Sequence, residues 1–422
     1  MPKRVQDPEA EHRLLAVAAA RMRSEGLTQD KIAKRLDKSQ PEVSRLVAYA
    51  QEHHYLARSP SFLGHNVAEA DLKEVDRRWF VPERLRKALV ASAPSGQYLD
   101  VRVLPDGEEP FSIAAAGCVG QLLRRAKLIG ISWGRSVARV VSQIKGALDV
   151  KVASEEISEE ESEEESDAPV GNDFAEIKCL PLCGDPVHLM NQRYVDYSAS
   201  RLAQLLGAAL RGQAANPNPR SELPCLVGVP AYLPQNVRRN AGSAWREFIE
   251  DIPGYREIFG PANGRGKPLV DRIDTIICGT GIIASEDEDL DLPGNPADIM
   301  FRARTGDFIR ERLEQEEGLA RSALAKMIYG DIGGWLLPRR HKLSVDDKRW
   351  VDSLNKGWTG IKGEHLSRVA REAKLNGPPG IILLAGGVGK AEMVAEIVRL
   401  GLVNSLLLDS SLAKALKRFL QR

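Results

Sequence analysis

Gln40, Glu42, Ser44 and Arg45 follow one another at spacings that set an amide, a carboxylate, a hydroxyl and a guanidinium along the early part of one helix. Gln and Arg side chains can pair bidentately with the edges of adenine and guanine. Lys34, Lys38 and Ser39 stand just before them, where short polar and cationic groups suit phosphate oxygens. A second set of residues lies far along the chain. In Trp133-Gly134-Arg135-Ser136-Val137 a strand is expected to end at glycine as a helix begins, so backbone N–H groups, a hydroxyl and a guanidinium converge at a positive helix terminus. A phosphate or carboxylate fits such a place. Gly279-Thr280-Gly281 and Gly386-Gly387-Val388-Gly389-Lys390 are expected to follow strands in the same way, with Lys390 as a second charge contact. The last of these is no nucleotide-binding P-loop, because Leu384 and Ala391 occupy the positions where that motif needs a glycine and a hydroxyl.

The first set needs two short helices to carry it. Thr28–Leu46 fits a pair meeting at a tight turn, with Ile32, Leu36, Val43 and Leu46 facing one small core and Ala33 at the close contact. Thr28 can cap the first helix and Ser39 the second, and Pro41 falls in a first turn where its missing N–H costs little. Asp37 takes the turn position where a left-handed backbone is needed, which Asp tolerates better than most residues. With the apolar face of Leu14, Leu15, Val17 and Ala18 before it, the pattern predicts three helices from Pro8 to about His53. In such motifs the early part of the second helix of the pair enters the major groove of DNA.

The second set needs a sheet. From about Tyr98 apolar runs alternate with amphipathic ones: strands at Leu99–Leu104 and Lys127–Ser132, helices at Ser112–Arg125 and Ser136–Leu148. Further strands are expected at Ala175–Leu182, Cys225–Val229, Asp274–Cys278, Gly380–Ala385 and Ser405–Asp409. This alternation is the order of a parallel sheet with crossover helices, and in an open parallel sheet the turns after strands gather along one edge, where ligands bind. The fold class is therefore α/β: an N-terminal helix-turn-helix domain over residues 1–57, a connection over 58–81, and a large parallel-sheet domain over 82–422.

Composition agrees with a soluble globular protein, at 43% hydrophobic and 28% charged residues. No transmembrane segment or secretory leader is expected, which makes the cytoplasm the default compartment. The formal net charge of +1 conceals an acidic insertion, Ser154–Asp167, with nine acids and no base. Without that run the rest of the chain carries about +10, so the near-neutral total does not exclude a nucleic-acid partner. Five cysteines are expected to be reduced, buried thiols. Cys179, Cys183 and His188 could be drawn as a metal site, but they lack a fourth ligand and zinc spacing. No cofactor or metal is expected.

Gln29–His54 resembles the DNA-binding segment of the SorC family of sugar-sensing bacterial regulators. Ile129–Val137 and Asp274–Gly281 resemble glycine-containing turns of that family, Tyr329-Gly330-Asp331-Ile332 a third such turn, and Leu384–Ala391 continuing through Gly401–Asp409 its C-terminal signature. The resemblance covers most of the chain in the expected order. It implies that residues 82–422 are an effector-binding and oligomerisation domain related to sugar-phosphate isomerases and coenzyme A transferases, usually assembled as a homodimer or homotetramer. The expected function is a DNA-binding transcriptional regulator whose affinity for a double-stranded operator is controlled by a sugar or phosphorylated sugar, with no membrane partner and no catalytic residue. The effector would touch Gly134, Arg135, Ser136, Val137, Gly279, Thr280, Gly281, Asp331, Gly386, Gly387 and Lys390. The alternative is an isomerase-like or transferase-like enzyme with the N-terminal helices as an oligomerisation element. Isomerisation needs a positioned base, for which Asp331 and Glu364 qualify by residue type, and a transferase needs a reactive glutamate that the sequence does not single out.

Overall fold

The computed structural model describes residues 8–24, 27–57, 62–63, 66–80, 83–144, 177–185, 197–211, 224–233, 235–260, 267–282, 326–339 and 343–421. The acidic run 154–167 and His188 lie outside the described residues.

The chain begins with α1 (Pro8–Ser24), α2 (Gln29–Leu36) and α3 (Gln40–Glu52). The centre of α1, Ala16 to Ala20, is wholly buried, because α2, α3 and the later α4 (Glu69–Val75) each pack against it. Small side chains on every face permit that close approach. Ile32, Leu36, Val43 and Leu46 are buried together. Asp37 closes α2 in the left-handed conformation (φ 53°), and the Lys38 N–H reaches back to the Ala33 carbonyl at 3.0 Å. Thr28 precedes α2, yet its side chain makes no capping hydrogen bond.

Residues within the expected connection form α4 and a wide helical turn at Asp76–Phe80, followed by α5 (Glu83–Ser92). This segment grips the first three helices. Arg13 pairs with Asp71 and Arg78 with Glu11, each at 2.6 Å, while the guanidinium of buried Arg21 lies 3.9 Å from the centre of the Phe80 ring.

Then come β1 (Asp100–Leu104), α6 (Glu108–Leu123), β2 (Leu128–Ile131), α7 (135–144), β3 (Lys178–Pro181), α8 (Ala199–Arg211), α9 (Gln235–Ala241), α10 (Ala244–Asp251) and α11 (Pro253–Phe259). They are followed by β4 (Thr275–Ile282), β5 (Ile328–Ile332), β6 (Trp335–Pro338), α12 (Val345–Gly357), α13 (Gly363–Glu372), β7 (Gly380–Ala385), α14 (Ala391–Arg399), β8 (Ser405–Asp409) and α15 (Ser410–Leu420). Six strands form a parallel sheet in the order β1-β8-β7-β4-β2-β3. Successive residues of the central strands enter opposite cores. Ile381, Leu383, Leu406 and Leu408 pack in the layer that runs on into α1–α3, whereas Ile382, Leu384 and Leu407 pack with α6 and α7 on the other face. Both faces are covered, which is why β2 and β7 are apolar throughout rather than alternating.

Two expectations fail here. Cys225–Val229 is not a strand: Gly228 adopts φ +82°, Val227 is exposed, and Pro230 makes only an isolated bridge to Asp185. Cys225 is exposed as well, unlike the other four cysteines. Tyr329-Gly330-Asp331-Ile332 is not a turn but β5, an antiparallel strand on the extension of β4, with Gly281 opposite Asp331 and Ile282 opposite Gly330. Its glycine serves close strand approach, since a Cβ on Gly330 would lie 2.0 Å from the Gly281 carbonyl oxygen. The actual reversal comes immediately after β5, at Gly333-Gly334, where both φ values are positive as a two-residue hairpin demands.

Candidate functional site

On the first surface, Lys34, Lys38, Ser39, Gln40, Ser44 and Arg45 are all exposed, and Glu42 is half-buried. Ser39 and Glu42 form a reciprocal cap. The Glu42 carboxylate accepts from the Ser39 N–H at 2.8 Å and from its hydroxyl at 2.6 Å, and the Glu42 N–H donates to Ser39 Oγ at 3.4 Å. These bonds hold the Glu42 carboxyl below the usual carboxylate range, with Lys38 and Arg45 adding to the effect. The cap engages both side chains and leaves Gln40, Ser44 and Arg45 to face outward along α3. Gln40 Nε2 donates to Gln29 Oε1 at 2.6 Å, bracing the starts of the two helices. Lys34 and Lys38 line one groove with Asp30 and Asp37.

The second surface lies at the carboxyl ends of β7, β4 and β2, which are neighbours in the sheet. Gly134, with φ +136°, ends the segment after β2, and its carbonyl accepts the first bond of α7, from the Ala138 N–H at 2.9 Å. The first-turn N–H groups of α7 are thus presented at a helix N-terminus beside Arg135 and Ser136. Gly279 joins the three loops: a Cβ there would touch both the Leu384 carbonyl of β7 and the Val137 side chain of α7, at 3.8 and 3.9 Å. Gly279–Gly281 is part of β4 itself, extended to pair with β5, rather than a turn after it.

Asp331 is buried where the β5–β6 hairpin meets β4. Its Oδ2 accepts the Gly334 N–H at 2.9 Å, and the Thr280 hydroxyl donates to its carbonyl at 2.8 Å. Gly281 has no room for a side chain, because a Cβ would sit 2.4 Å from Asp331 Oδ1. Burial pushes the Asp331 carboxyl up to about 6, against the Gly334 N–H and the Lys390 ammonium, which favour its charged form. Lys390 is shifted downward, first by burial; Asp331 and Asp409 oppose the shift and Arg135 adds to it. Lys390 is thus the group on which the Asp331 and Asp409 carboxylates and the Arg135 guanidinium all act.

Sequence reasoning missed Asp409. One of its carboxylate oxygens accepts the Leu412 N–H at 2.6 Å, capping α15, and the other accepts the Gly387 N–H at 2.7 Å. That amide is consequently engaged by protein, and burial raises the Asp409 carboxyl. An Asp immediately before Ser410-Ser411-Leu412 at the end of an apolar strand is a helix-start signal that could have drawn attention to it. Glu364 stands exposed in the first turn of α13, whereas Asp331 is buried in the hairpin.

Comparison with solved structures gives matches at low sequence identity. The full-length sorbitol operon regulator SorC from Klebsiella pneumoniae matches over 96% of this chain and 99% of its own, at 17% identity and a TM-score of 0.47. A DeoR family transcriptional regulator from Listeria monocytogenes matches over 83% of this chain and 100% of its own, at 14% identity and a TM-score of 0.41. The chain is similar to SorC-type regulators. A transcriptional regulator from Streptococcus pneumoniae matches over 76% of this chain and 92% of its own, at 15% identity and a TM-score of 0.42. No family model matches the chain, and no curated protein does. Among the described residues no helix is long and apolar enough to cross a membrane, and no group of three or more His, Cys, Asp or Glu could hold a metal ion.

Proposed function

We propose that this chain is a DNA-binding transcriptional regulator, active as a homodimer or homotetramer, whose operator affinity is set by a sugar or phosphorylated sugar bound at the sheet edge. The observation that carries the reading is the α2–α3 surface: a helix pair with a left-handed Asp37 turn and a capped second helix, exposing Lys34, Lys38, Gln40, Ser44 and Arg45 side by side. Gln40, Ser44 and Arg45 read base edges in the major groove, Lys34 and Lys38 hold phosphates, and Ser39 and Glu42 fix the entry angle of α3.

The effector lies across Gly134–Val137, Gly279–Gly281, Asp331 and Gly386–Lys390. Arg135, Ser136 and the first-turn N–H groups of α7 receive its anionic group, with Lys390 as the second cation. Asp331 and Asp409 supply acceptors for hydroxyl groups, and mixed cations and carboxylates are the donor and acceptor set that a phosphorylated sugar can satisfy.

Selection of binding duplexes from a random DNA library, followed by anisotropy titration, tests the reading. The native chain is expected to enrich a sequence with two related half-sites, and Gln40→Ala and Arg45→Ala are expected to relax that preference. Failure to enrich any sequence, together with product formation from a sugar phosphate, would move the chain to the enzyme alternative.

A further inference from the structure

Beside the β5–β6 hairpin, α10, α11 and the C-terminal end of α12 enclose a cavity of about 230 Å³. None of its lining residues belongs to the glycine-lined sheet edge described above. Trp245, Trp335 and Trp358, half of the chain's six tryptophans, stand in its walls together with Tyr255. Tryptophan is the costliest residue to leave idle in so small a space, and flat aromatic walls suit a flat ligand.

The polar groups of the lining divide cleanly into spent and unspent. Asn355 is spent: its Oδ1 accepts the Leu336 N–H at 2.9 Å and its Nδ2 donates to the Leu336 carbonyl at 3.0 Å. The Thr359 hydroxyl donates to the Pro230 carbonyl at 2.6 Å. Lys362 gives two of its three N–H donors to the carbonyls of Trp358 and Asn355 at the end of α12. Trp358 is buried, and its indole N–H has no acceptor among the described residues. That N–H is sealed from the cavity, so the unspent remainder is the third N–H of Lys362, Arg246 beside the Trp245 ring, and Lys356, all donors. Glu250 is the one carboxylate in the lining.

We propose that this cavity is a second ligand site, separate from the sheet edge, and that it takes a one- or two-ring aromatic acid. The rings stack on the tryptophan walls, and the carboxylate accepts from the third N–H of Lys362 while Arg246 neutralises it from the mouth. Size agrees, since a dry cavity of about 150 Å³ already holds benzene.

Tryptophan fluorescence of the full chain reads the site directly. Benzoate and indole-3-carboxylate, each against its matched carboxamide, are titrated into the native protein and into Trp245→Ala and Arg246→Ala. The acids are expected to give a saturable change and to bind roughly tenfold or more tighter than the amides, and each variant to weaken acid binding by roughly tenfold. Arg246 is exposed, so Arg246→Ala decides the matter even where Trp245→Ala disturbs folding, which circular dichroism checks. No saturable change from either acid up to about 10 mM, equal binding of acid and amide, or Arg246→Ala binding like the native chain overturns the proposal. None of the residues tested lies at the sheet edge or on α2–α3, so failure here leaves the regulator reading standing.

Discussion

Arg45 and Asp331 illustrate how much one side chain can carry. Arg45 is exposed on the second helix of the pair and contributes nothing to the core, so Arg45→Ala is expected to leave the melting temperature unchanged. It should weaken binding to the selected duplex by about 1–3 kcal/mol, the worth of one good base contact. Unchanged anisotropy titration would remove Arg45 from the reading surface. Asp331 acts oppositely, because its carboxyl is raised to about 6 in the folded chain against an ordinary value of 3.8. The folded state therefore holds the proton longer than the unfolded one, and stability is highest below the ordinary value and falls as pH rises towards 6. Asp331→Asn is expected to match the native chain in urea unfolding near pH 4 and to exceed it above about pH 6, by at most roughly 3 kcal/mol. Equal stability at both pH values would show that Asp331 is not desolvated.

At the scale of elements, the capped start of α3 and the hairpin on β4 set the two surfaces. Ser39→Ala removes the hydroxyl from the reciprocal cap with Glu42 and is expected to cost about 1 kcal/mol in stability. It should lower DNA affinity without altering which base is preferred, a pattern that selection with the variant separates from loss of a base contact. Gly330→Ala is expected to be more damaging than its size suggests, because the new methyl would sit 2.0 Å from the Gly281 carbonyl oxygen and push β5 away from β4. Thermal unfolding should show a clear loss; a native-like melting temperature would mean that the strand pair yields at little cost. The first three helices join the sheet domain through residues 67–80. Gln121 on α6 donates to the Val67 carbonyl at 3.1 Å, and Arg13, Arg21 and Arg78 hold the same segment against α1.

For the whole molecule the consequence is linkage. A ligand that favours one arrangement of paired reading helices changes operator affinity, and the operator changes ligand affinity by the same factor. Calorimetric titration of the best-binding sugar phosphate, with and without operator, should differ by about 1–3 kcal/mol, and Arg135→Ala or Lys390→Ala should weaken the ligand in both. Identical affinities with and without operator would sink the switch. Charge acts at this scale as well. Deleting Ser154–Asp167 removes nine acids from a chain of net charge +1, so non-specific DNA binding at low salt should strengthen and its salt dependence steepen.

Local chemistry settled much of this in the sequence alone. The three N-terminal helices, the Asp37 turn, the Ser39 cap and six parallel strands were legible because capping, left-handed turns and runs of apolar residues are decided within a few positions. Arg135 and Lys390 were legible as cations beside glycines after strands. The sequence could not disclose that Tyr329–Ile332 is a strand, because its ladder partner is the tip of β4, some fifty residues away in the chain, and its glycine looks like punctuation until Gly281 is seen against it. Nor could it disclose that Asp409 takes the Gly387 amide, that Asp331 takes the Gly334 amide inside the hairpin, or that three tryptophans line one cavity. Those facts are distances between groups far apart in the chain, and only packing of the sheet, the hairpin and the helices around them sets such distances.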